Sequence, residues 1–288
     1  MIELRNESLS VRILPELGGK ISSLFDRRHD REWLWTNPHL ARRPPVYGES
    51  YVEQLDTGGW DEIFPSISPC VLPGGIDIPD HGDLVFLPAD VSDQTPDSLA
   101  LSILTRSFKS CFSRQFTVDG PKLRIDYTLE SLDERPIPYL WAAHPLLALE
   151  DGMVLELPTA ALTTSEGLDL QETDDGGCRI TIGDPALGKQ APHMLKSFTA
   201  RDQAEWARIQ ARDGASLRLD WDKLDAPYFG IWLNQRAWSG TGSEPYFNLG
   251  FEPTTSPHDD LTSAIAANEH FTLAPHESRS WSLILSLD

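Results

Sequence analysis

The residues FSRQFTVDGPKLRIDYTLES (112–131) give the clearest structural signal in the chain. Both halves alternate apolar with polar side chains, which is typical of a strand that buries one face. Asp119-Gly120 stands between the halves, and an Asp-Gly pair supports the tight reversal that joins antiparallel strands. We therefore expect a β-hairpin here, within an antiparallel sheet.

The same period of two recurs along the whole chain. EWARIQA (205–211) and SLRLDWD (216–222) flank Asp213-Gly214 and predict a second hairpin. LSILTRSF (101–108) and SWSLILSL (280–287) predict further strands of the same kind. The sequence is therefore dominated by strands that bury one face.

Helical periodicity is scarce by comparison. DDLTSAIAAN (259–268) begins with Asp and continues with good helix formers, so it predicts one short surface helix. The polar stretch TSEGLDLQETDDGG (164–177) indicates a long loop or an excursion at a sheet edge. Since no alternation of strands with helices and no linker is present, we expect one all-β domain over residues 1–288. Its architecture should be a large antiparallel β-sandwich with few short helices.

Composition narrows the possible partners and the compartment. The 288 residues carry 24 Lys and Arg against 44 Asp and Glu, a formal net charge of −20, which disfavours nucleic acid and anionic membrane as partners. Cys70, Cys111 and Cys178 are widely spaced, which argues against a disulfide framework and a cysteine zinc site. The start MIELRNES lacks the features of a signal peptide, so we expect a cytoplasmic protein. Either a monomer or a homodimer is compatible with this sequence.

His144 lies at the centre of an almost unbroken apolar run, IPYLWAAHPLLAL (137–149). One interpretation is a core histidine with a hydrogen-bond partner, which is the commoner case. The other is a histidine placed to transfer a proton. Pro145 removes the next backbone donor, so we expect the strand to end or bulge just after the histidine.

Two further stretches place ionisable groups beside Gly or Pro. His81 stands between Asp80 and Asp83 at a turn, either facing solvent or donating a hydrogen bond to a polyhydroxylated ligand. Glu252 follows an apolar stretch and precedes Pro253, which should terminate the strand. This glutamate either caps the next turn or serves as a general base.

Other chemistries find little support in the sequence. Nucleotide-binding loops, the GxSxG elbow, HExxH and zinc-ligand histidine spacings are missing, so we expect neither a metal nor another cofactor. The nine tryptophans fill a core for the most part, but Trp60, Trp141 and Trp232 lie beside the stretches described above. Because indole rings stack on the C–H faces of sugars, this placement suits a carbohydrate site.

The order of these motifs resembles the aldose 1-epimerase (galactose mutarotase-like) family. LGGKISSLFDRRHDREWLW, GGWDEIFPSI, DHGDLVFLP, AAHP, LGFEPTT and FTLAPHESRSWSLILSL follow one another over nearly the whole chain. The resemblance implies a large β-sandwich with a sugar in an open cleft. It also implies that His144 is the general acid, Glu252 the general base and His81 a ligand-binding residue.

The resemblance implies further cleft residues and shows two departures. Trp60 and Asp61 of GGWDEIFP would line the cleft. The arginine that often follows the HG motif is absent here. A sugar-binding aspartate is expected between the catalytic residues, and Asp222 and Asp225, taken to lie near Trp232, are its candidates.

The implied activity is the interconversion of α and β anomers of an aldose, an isomerase reaction on a small sugar. His144 and Glu252 should then face each other across one cleft with room for a sugar ring between them. One alternative is a hexose-6-phosphate 1-epimerase, for which Arg42, Arg43 and Arg106 are the available phosphate-binding residues. The other alternative is a non-catalytic carbohydrate-binding or regulatory domain.

Overall fold

Antiparallel strands make up most of the computed structural model, which describes residues 1–183 and 193–288. The strands of the N-terminal half are β1 (Ile2–Arg5), β2 (Leu9–Leu14), β3 (Lys20–Asp26), β4 (Arg31–Glu32), β5 (Trp60–Ile63), β6 (Cys70–Leu72), β7 (Ile76–Ile78), β8 (Asp90–Gln94), β9 (Ser98–Leu104), β10 (Ser110–Asp119), β11 (Lys122–Ser131), β12 (Ile137–Tyr139) and β13 (Ala142–Ala148).

The C-terminal half continues in the same way. Its strands are β14 (Val154–Leu157), β15 (Asp169–Glu172), β16 (Cys178–Thr181), β17 (His193–Phe198), β18 (Trp206–Gln210), β19 (Ser216–Trp221), β20 (Tyr228–Gln235), β21 (Phe247–Thr254), β22 (Phe271–Leu273) and β23 (Ser278–Leu287). Within the described residues, the helical elements are α1 (Tyr51–Gln54), α2 (Leu261–Ala267) and two 3-10 turns, Pro15–Leu17 and Leu84–Phe86.

Two large sheets form the sandwich. One has nine strands in the order β1-β2-β3-β5-β13-β21-β20-β17, with β4 paired to β3. The other has ten strands in the order β15-β16-β14-β18-β19-β23-β11-β10-β9-β8. The expectation of a large antiparallel β-sandwich with few short helices is confirmed.

Both predicted hairpins are present. In the first, Asp119 pairs with Lys122 at the end of the β10–β11 ladder, and in the second, Gln210 pairs with Ser216. The predicted helix is α2, whose N-cap Asp260 accepts a hydrogen bond from the Ser263 amide at 2.8 Å. Part of the polar stretch 164–177 forms β15, an edge strand of the ten-stranded sheet.

The core lies between the two sheets and is rich in aromatic rings. Trp141 packs edge-on against Tyr127 of β11 and Trp281 of β23, with ring centroids 5.2 and 5.0 Å apart. Phe251 of β21 is fully buried beside Phe229. Burying one such side chain contributes about 1.5–3 kcal/mol, so these residues anchor the central strands on which the candidate site is built.

Neither proline of the two predicted strand ends terminates its strand. β13 continues through Pro145 to Ala148, with Pro145 paired to Trp60, and the next amide, Leu146 N–H, donates to Gly59 O at 2.9 Å. β21 likewise includes Pro253. The expectation of a break or bulge after His144 was wrong, because β13 keeps the same register against β21 before and after this segment, with Ala142 paired to Thr254 and Leu146 to Gly250. β21 ends at Thr254, so the predicted strand end at Pro253 is displaced by one residue.

Among the described residues, no helix combines the length and the apolar character needed to cross a bilayer. The three cysteines are unpaired.

Candidate active site

The register of three central strands sets the geometry of the candidate site. β13 lies between β5 and β21. The pairs Ala142–Thr254 and Leu146–Gly250 place His144 directly opposite Glu252, and on the other side His144 pairs with Asp61 of β5. Because alternate residues of a strand share a face, Leu147, Leu249 and Phe251 enter the core while His144 and Glu252 project from the opposite face.

His144 and Glu252 are in direct contact. The imidazole Nδ1 lies 2.8 Å from Glu252 Oε1, and the two residues are 9% and 1% exposed. Directly opposite positions on one face of a sheet bring side chains this close. Since Nδ1 is engaged, Nε2 remains available to a ligand. The expected space for a sugar ring between the two side chains is not present, and this corrects the expectation of two groups facing each other across a cleft.

The contact is an ion pair. Burial would raise the pKa of the Glu252 carboxyl, but the positive charges of His144 and Lys196 and the hydrogen bond from His144 outweigh burial and lower that pKa to about 2. Burial opposes a charge on His144 as well, yet the negative charge and hydrogen bond of Glu252 raise the pKa of His144 above its ordinary value of 6.5. Each residue therefore favours the charged form of the other, with the pKa of His144 raised and the pKa of Glu252 lowered.

Two glycines make room for the Glu252 side chain. A Cβ on Gly250 would lie 2.3 Å from Glu252 Oε1 and 2.9 Å from Trp232 Cβ. A Cβ on Gly230, the residue paired with Glu252 across the ladder, would lie 3.3 Å from Glu252 Oε2. Neither glycine has a positive φ value, so close approach of the carboxylate explains them better than backbone conformation.

A pocket of about 260 Å³ opens over this pair. That volume lies just below the usual range for drug-sized ligands, about 300–1,000 Å³, and so suits a small molecule. Polar and aromatic side chains line it, among them His81, His144, Lys196, Trp232, Asn248 and Glu252. Lys196 of β17 also pairs with Asp259, with 2.5 Å between Nζ and Oδ1.

His81 faces the same pocket rather than solvent. Its Nδ1 lies 2.8 Å from Asp80 Oδ1, and its ring stacks on Tyr51 with centroids 3.8 Å apart. The ring centroids of His81 and His144 are 5.7 Å apart. His81 adopts a φ of 62°, an uncommon conformation for a residue with a side chain. Each histidine therefore has its Nδ1 bound by a carboxylate and its Nε2 left for a ligand.

Four predicted site residues do not line this pocket. Trp60 is fully buried in the core between the sheets and does not line the pocket. Asp61 lies on the pocket face of β5, but its carboxylate is bound by Tyr51 Oη at 2.6 Å and by Lys20 Nζ at 2.7 Å.

Asp222 and Asp225 follow β19 of the other sheet and are not near Trp232 in the pocket. Asp225 pairs with Arg279, and Asp222 accepts a hydrogen bond from the Leu224 amide. These placements correct the expectation that Trp60, Asp61 and one of the two aspartates line the cleft. Trp60 faces the core because alternate residues of β5 point to opposite faces of the sheet. Asp222 and Asp225 lie outside the pocket because they belong to the turn after β19.

Asp83, the residue directly after the HG motif, has a structural role. Asp83 is fully buried and accepts hydrogen bonds from the Arg106 and Ser107 amides, both at 2.7 Å, and from Tyr47 Oη at 2.6 Å. It thereby ties the turn of His81 to the segment before β10. Asp83 therefore stabilises the fold and does not line the pocket.

Several pocket residues were not identified from the sequence. They are Tyr51, Asp56, Lys196, Trp238, Tyr246, Asn248 and Asp259. Trp238 and Tyr246 belong to the loop 236–246 that joins β20 and β21, where the Tyr246 amide donates to Trp238 O at 2.8 Å. Asn248 and Glu252 share one face of β21, so an alternation count from Glu252 could have found Asn248.

Within residues 1–183 and 193–288, no group of three or more His, Cys, Asp or Glu side chains is arranged to hold a metal ion.

Comparison with known proteins shows similarity in structure rather than in sequence. No protein-family model and no curated protein sequence matches the chain. A galactose mutarotase-like protein from Lactobacillus casei ATCC 334 superimposes with a TM-score of 0.68 at 16% identity, over 100% of both chains.

Two other solved structures are similar to the same extent. A candidate aldose 1-epimerase from Escherichia coli K12 gives a TM-score of 0.69 at 15% identity, over 99% of this chain and 98% of the other. A galactose mutarotase related enzyme from Lactobacillus acidophilus gives 0.67 at 13% identity, over 100% and 97%. The chain therefore has the galactose mutarotase-like fold.

Proposed function

We propose that the protein is an isomerase of the aldose 1-epimerase type, which interconverts the α and β anomers of a small aldose. The observation that carries this proposal is the His144–Glu252 pair, 2.8 Å apart in the pocket of a galactose mutarotase-like fold. The names of the similar structures point to the same reaction class. Trp232 and His81 in the same pocket suit a polyhydroxylated ring.

The reaction requires a base and an acid at neighbouring atoms. Mutarotation opens the hemiacetal, turns the carbonyl about the C1–C2 bond and closes the ring on its other face. Opening removes a proton from the C1 hydroxyl and delivers one to the ring oxygen. Glu252 would accept the first proton and the His144 imidazolium would donate the second, with the roles reversed on closure. Each transfer by a well-placed group contributes about 10²–10⁴-fold in rate.

Contact between the acid and the base is compatible with this chemistry. The hydroxyl oxygen and the ring oxygen are both bonded to C1, so the two groups need not stand on opposite sides of the ring. His144 would use Nε2, while Glu252 Oε2 has no hydrogen-bond partner among the described residues. A buried carboxylate oxygen without a partner favours pairing with a ligand hydroxyl.

The charges in the pocket favour a neutral sugar over a sugar phosphate. Asp56, Asp80, Glu252 and Asp259 contribute carboxylates, whereas Lys196 is already paired with Asp259. Arg42 and Arg43 line a separate small cavity of about 20 Å³, and Arg106 lies over the ring of Tyr47. A phosphate dianion would therefore enter an acidic pocket without an arginine to bind it.

A mutarotation screen tests the proposal. Freshly dissolved α-anomers of several neutral aldoses, and the 6-phosphates of the same sugars, are followed by polarimetry with and without the protein. We expect acceleration for at least one neutral aldose, and none or much less for its 6-phosphate. Faster conversion of the phosphates would favour the hexose-6-phosphate epimerase instead. Sugar binding by calorimetry without any acceleration would identify a non-catalytic carbohydrate-binding domain.

A further inference from the structure

Asp56 presents a carboxylate to the pocket with little to bind it. The residue is 7% exposed and lines the pocket together with His81, His144 and Glu252. Within the described part of the chain, its side chain makes one hydrogen bond, a long one of 3.4 Å from the Gly58 amide to Oδ1, and no ion pair. Among the described residues, Oδ2 therefore has no hydrogen-bond partner. Carboxylates this deeply buried are ordinarily paired, so this one requires an explanation.

The backbone of Asp56 is held firmly on both sides. Its amide donates to Tyr51 O at 2.8 Å, and its carbonyl accepts from Asn37 Nδ2 at 2.7 Å. The same Asn37 amide group donates to Tyr246 Oη at 2.9 Å, so it connects Asp56 to an aromatic residue on another wall of the pocket. The backbone that carries the carboxylate is therefore fixed at the pocket wall, which lowers the entropic cost of binding a ligand there.

Among the described residues, no cation forms an ion pair with the Asp56 carboxylate. Burial raises the pKa of Asp56, since Lys20, His144 and His81 offset the desolvation only in part. Lys20 does not neutralise it directly, because its ammonium group is bound to Asp61, Gly58 O and Thr57 Oγ1. A neutral hydroxyl donor from a ligand would satisfy the carboxylate without adding charge to the pocket.

We propose that Asp56 is a substrate-binding residue whose carboxylate accepts hydrogen bonds from hydroxyl groups of a neutral sugar ring in this pocket. The proposal rests on the proposed function and assigns the pocket its sugar-binding carboxylate, in place of Asp222 and Asp225. Two adjacent ring hydroxyls match the two oxygens of one carboxylate, and hydrogen bonds to a charged acceptor are the strong ones. The contact discriminates a sugar that carries these hydroxyls from one that lacks them.

Substitution of Asp56 combined with deoxy-sugars tests the proposal. Asp56→Asn keeps the side-chain volume and Asp56→Ala removes the acceptor, while Asp222→Asn removes an exposed carboxylate outside the pocket as a control. Each variant is first compared with the wild type in thermal denaturation. KM and kcat are then measured by polarimetry with the best aldose and with analogues that each lack one hydroxyl.

We expect Asp56→Ala to raise KM roughly 10- to 100-fold with a smaller change in kcat, as for loss of a charged hydrogen bond. Asp56→Asn should lie between Asp56→Ala and the wild type, and Asp222→Asn should match the wild type. Two deoxy analogues, which each lack one of the two adjacent hydroxyls, should bind the wild type more weakly than the parent sugar does. Each of them should lose less affinity in Asp56→Ala than the parent sugar loses, because part of the same contact is already absent.

Three outcomes would overturn the proposal for Asp56. The first is an unchanged KM in a folded Asp56→Ala. The second is that every deoxy analogue loses as much affinity in Asp56→Ala, relative to the wild type, as every other. The third is a fall in kcat without a change in KM. If the wild type accelerates no mutarotation, the proposed activity has failed, and the same variants and analogues are then compared by calorimetric sugar affinity. Equal sugar affinity in wild type and Asp56→Ala, or no sugar binding by the wild type, would overturn the binding role as well.

Discussion

His144 of β13 and Glu252 of β21 face each other at one position of an antiparallel ladder, with 2.8 Å between Nδ1 and Oε1. In this buried pair, each residue stabilises the charged form of the other. The imidazole retains its proton because the carboxylate is beside it, and the carboxylate stays ionised because the imidazolium is beside it. Changing either residue therefore alters the protonation of the other.

Glu252→Gln should abolish catalysed mutarotation while the chain remains folded, with a rate loss of about 10²–10⁴-fold, because an amide cannot accept the proton. Polarimetry measures the rate and circular dichroism the fold. Glu269→Gln is a matched control, since Glu269 Oε2 is also bound to a histidine, His258, at 2.7 Å, but does not line the pocket. Wild-type activity in Glu252→Gln would rule out Glu252 as the base.

His144→Ala should reduce the rate at least about a hundredfold, since it removes the proposed general acid. His276→Ala serves as the control, because His276 is exposed and pairs with Glu134 away from the pocket. Rates are compared at a temperature where thermal denaturation shows both variants folded. If His144→Ala only unfolds the chain and any folded fraction has full specific activity, His144 is a core residue and not an acid.

The pH dependence should carry the signature of the ion pair. Because its pKa is raised, the His144 imidazole stays protonated above pH 6.5. Activity should therefore persist past that pH and decline as the pH rises through the pKa of His144 in the folded protein. The lowered pKa of Glu252, about 2, keeps the carboxylate charged well below the ordinary 4.5. The stabilisation from the pair is thus present between pH 4.5 and 6.5, and is lost toward pH 2 and at high pH.

NMR titration of the His144 ring in wild type and in Glu252→Gln measures this coupling. In the variant the pKa of His144 should fall, because burial then acts without the opposing carboxylate, although Asp61 remains on the neighbouring strand. An unchanged pKa would show that Glu252 does not control the protonation of His144.

Gly250→Ala should displace Glu252, because the new methyl group would lie 2.3 Å from Oε1. We expect a loss of rate together with a destabilisation of about 1–3 kcal/mol, typical of overpacking. Gly230→Ala should have a smaller effect on the rate, since its closest contact with Glu252 is 3.3 Å. Polarimetry and chemical denaturation measure both quantities. A Gly230→Ala enzyme slower than Gly250→Ala would contradict this explanation of the two glycines.

Much of the fold could be predicted because its signals are local. The Asp-Gly pairs at 119–120 and 213–214 identify hairpins without any knowledge of distant residues. Pro145 misled for the same reason. Pro145 indicates a strand end in its local sequence, whereas pairing of β13 with strands on both sides keeps that strand continuous.

The candidate site was harder to predict from the sequence, because it depends on the register between strands that are far apart in the chain. His144 and Glu252 could be named from motif order, but their direct contact follows from a ladder that the sequence does not display. The prediction placed Trp60 and Asp61 in the same cleft, but adjacent residues of a strand point to opposite faces of the sheet, so only Asp61 lies on the pocket face. Asp56 and Lys196 lack a local signal, since neither belongs to a recognisable motif.

The loop 236–246 has a consequence for how this protein could acquire new ligands. It supplies Trp238 and Tyr246 to the pocket, yet the strands on either side are paired from Tyr228–Thr254 to Gln235–Phe247. Insertions or exchanges in this hairpin connection would reshape the pocket while the ladder keeps Glu252 opposite His144. Evolution or a designer could therefore vary ligand preference there and leave the His144–Glu252 contact unchanged.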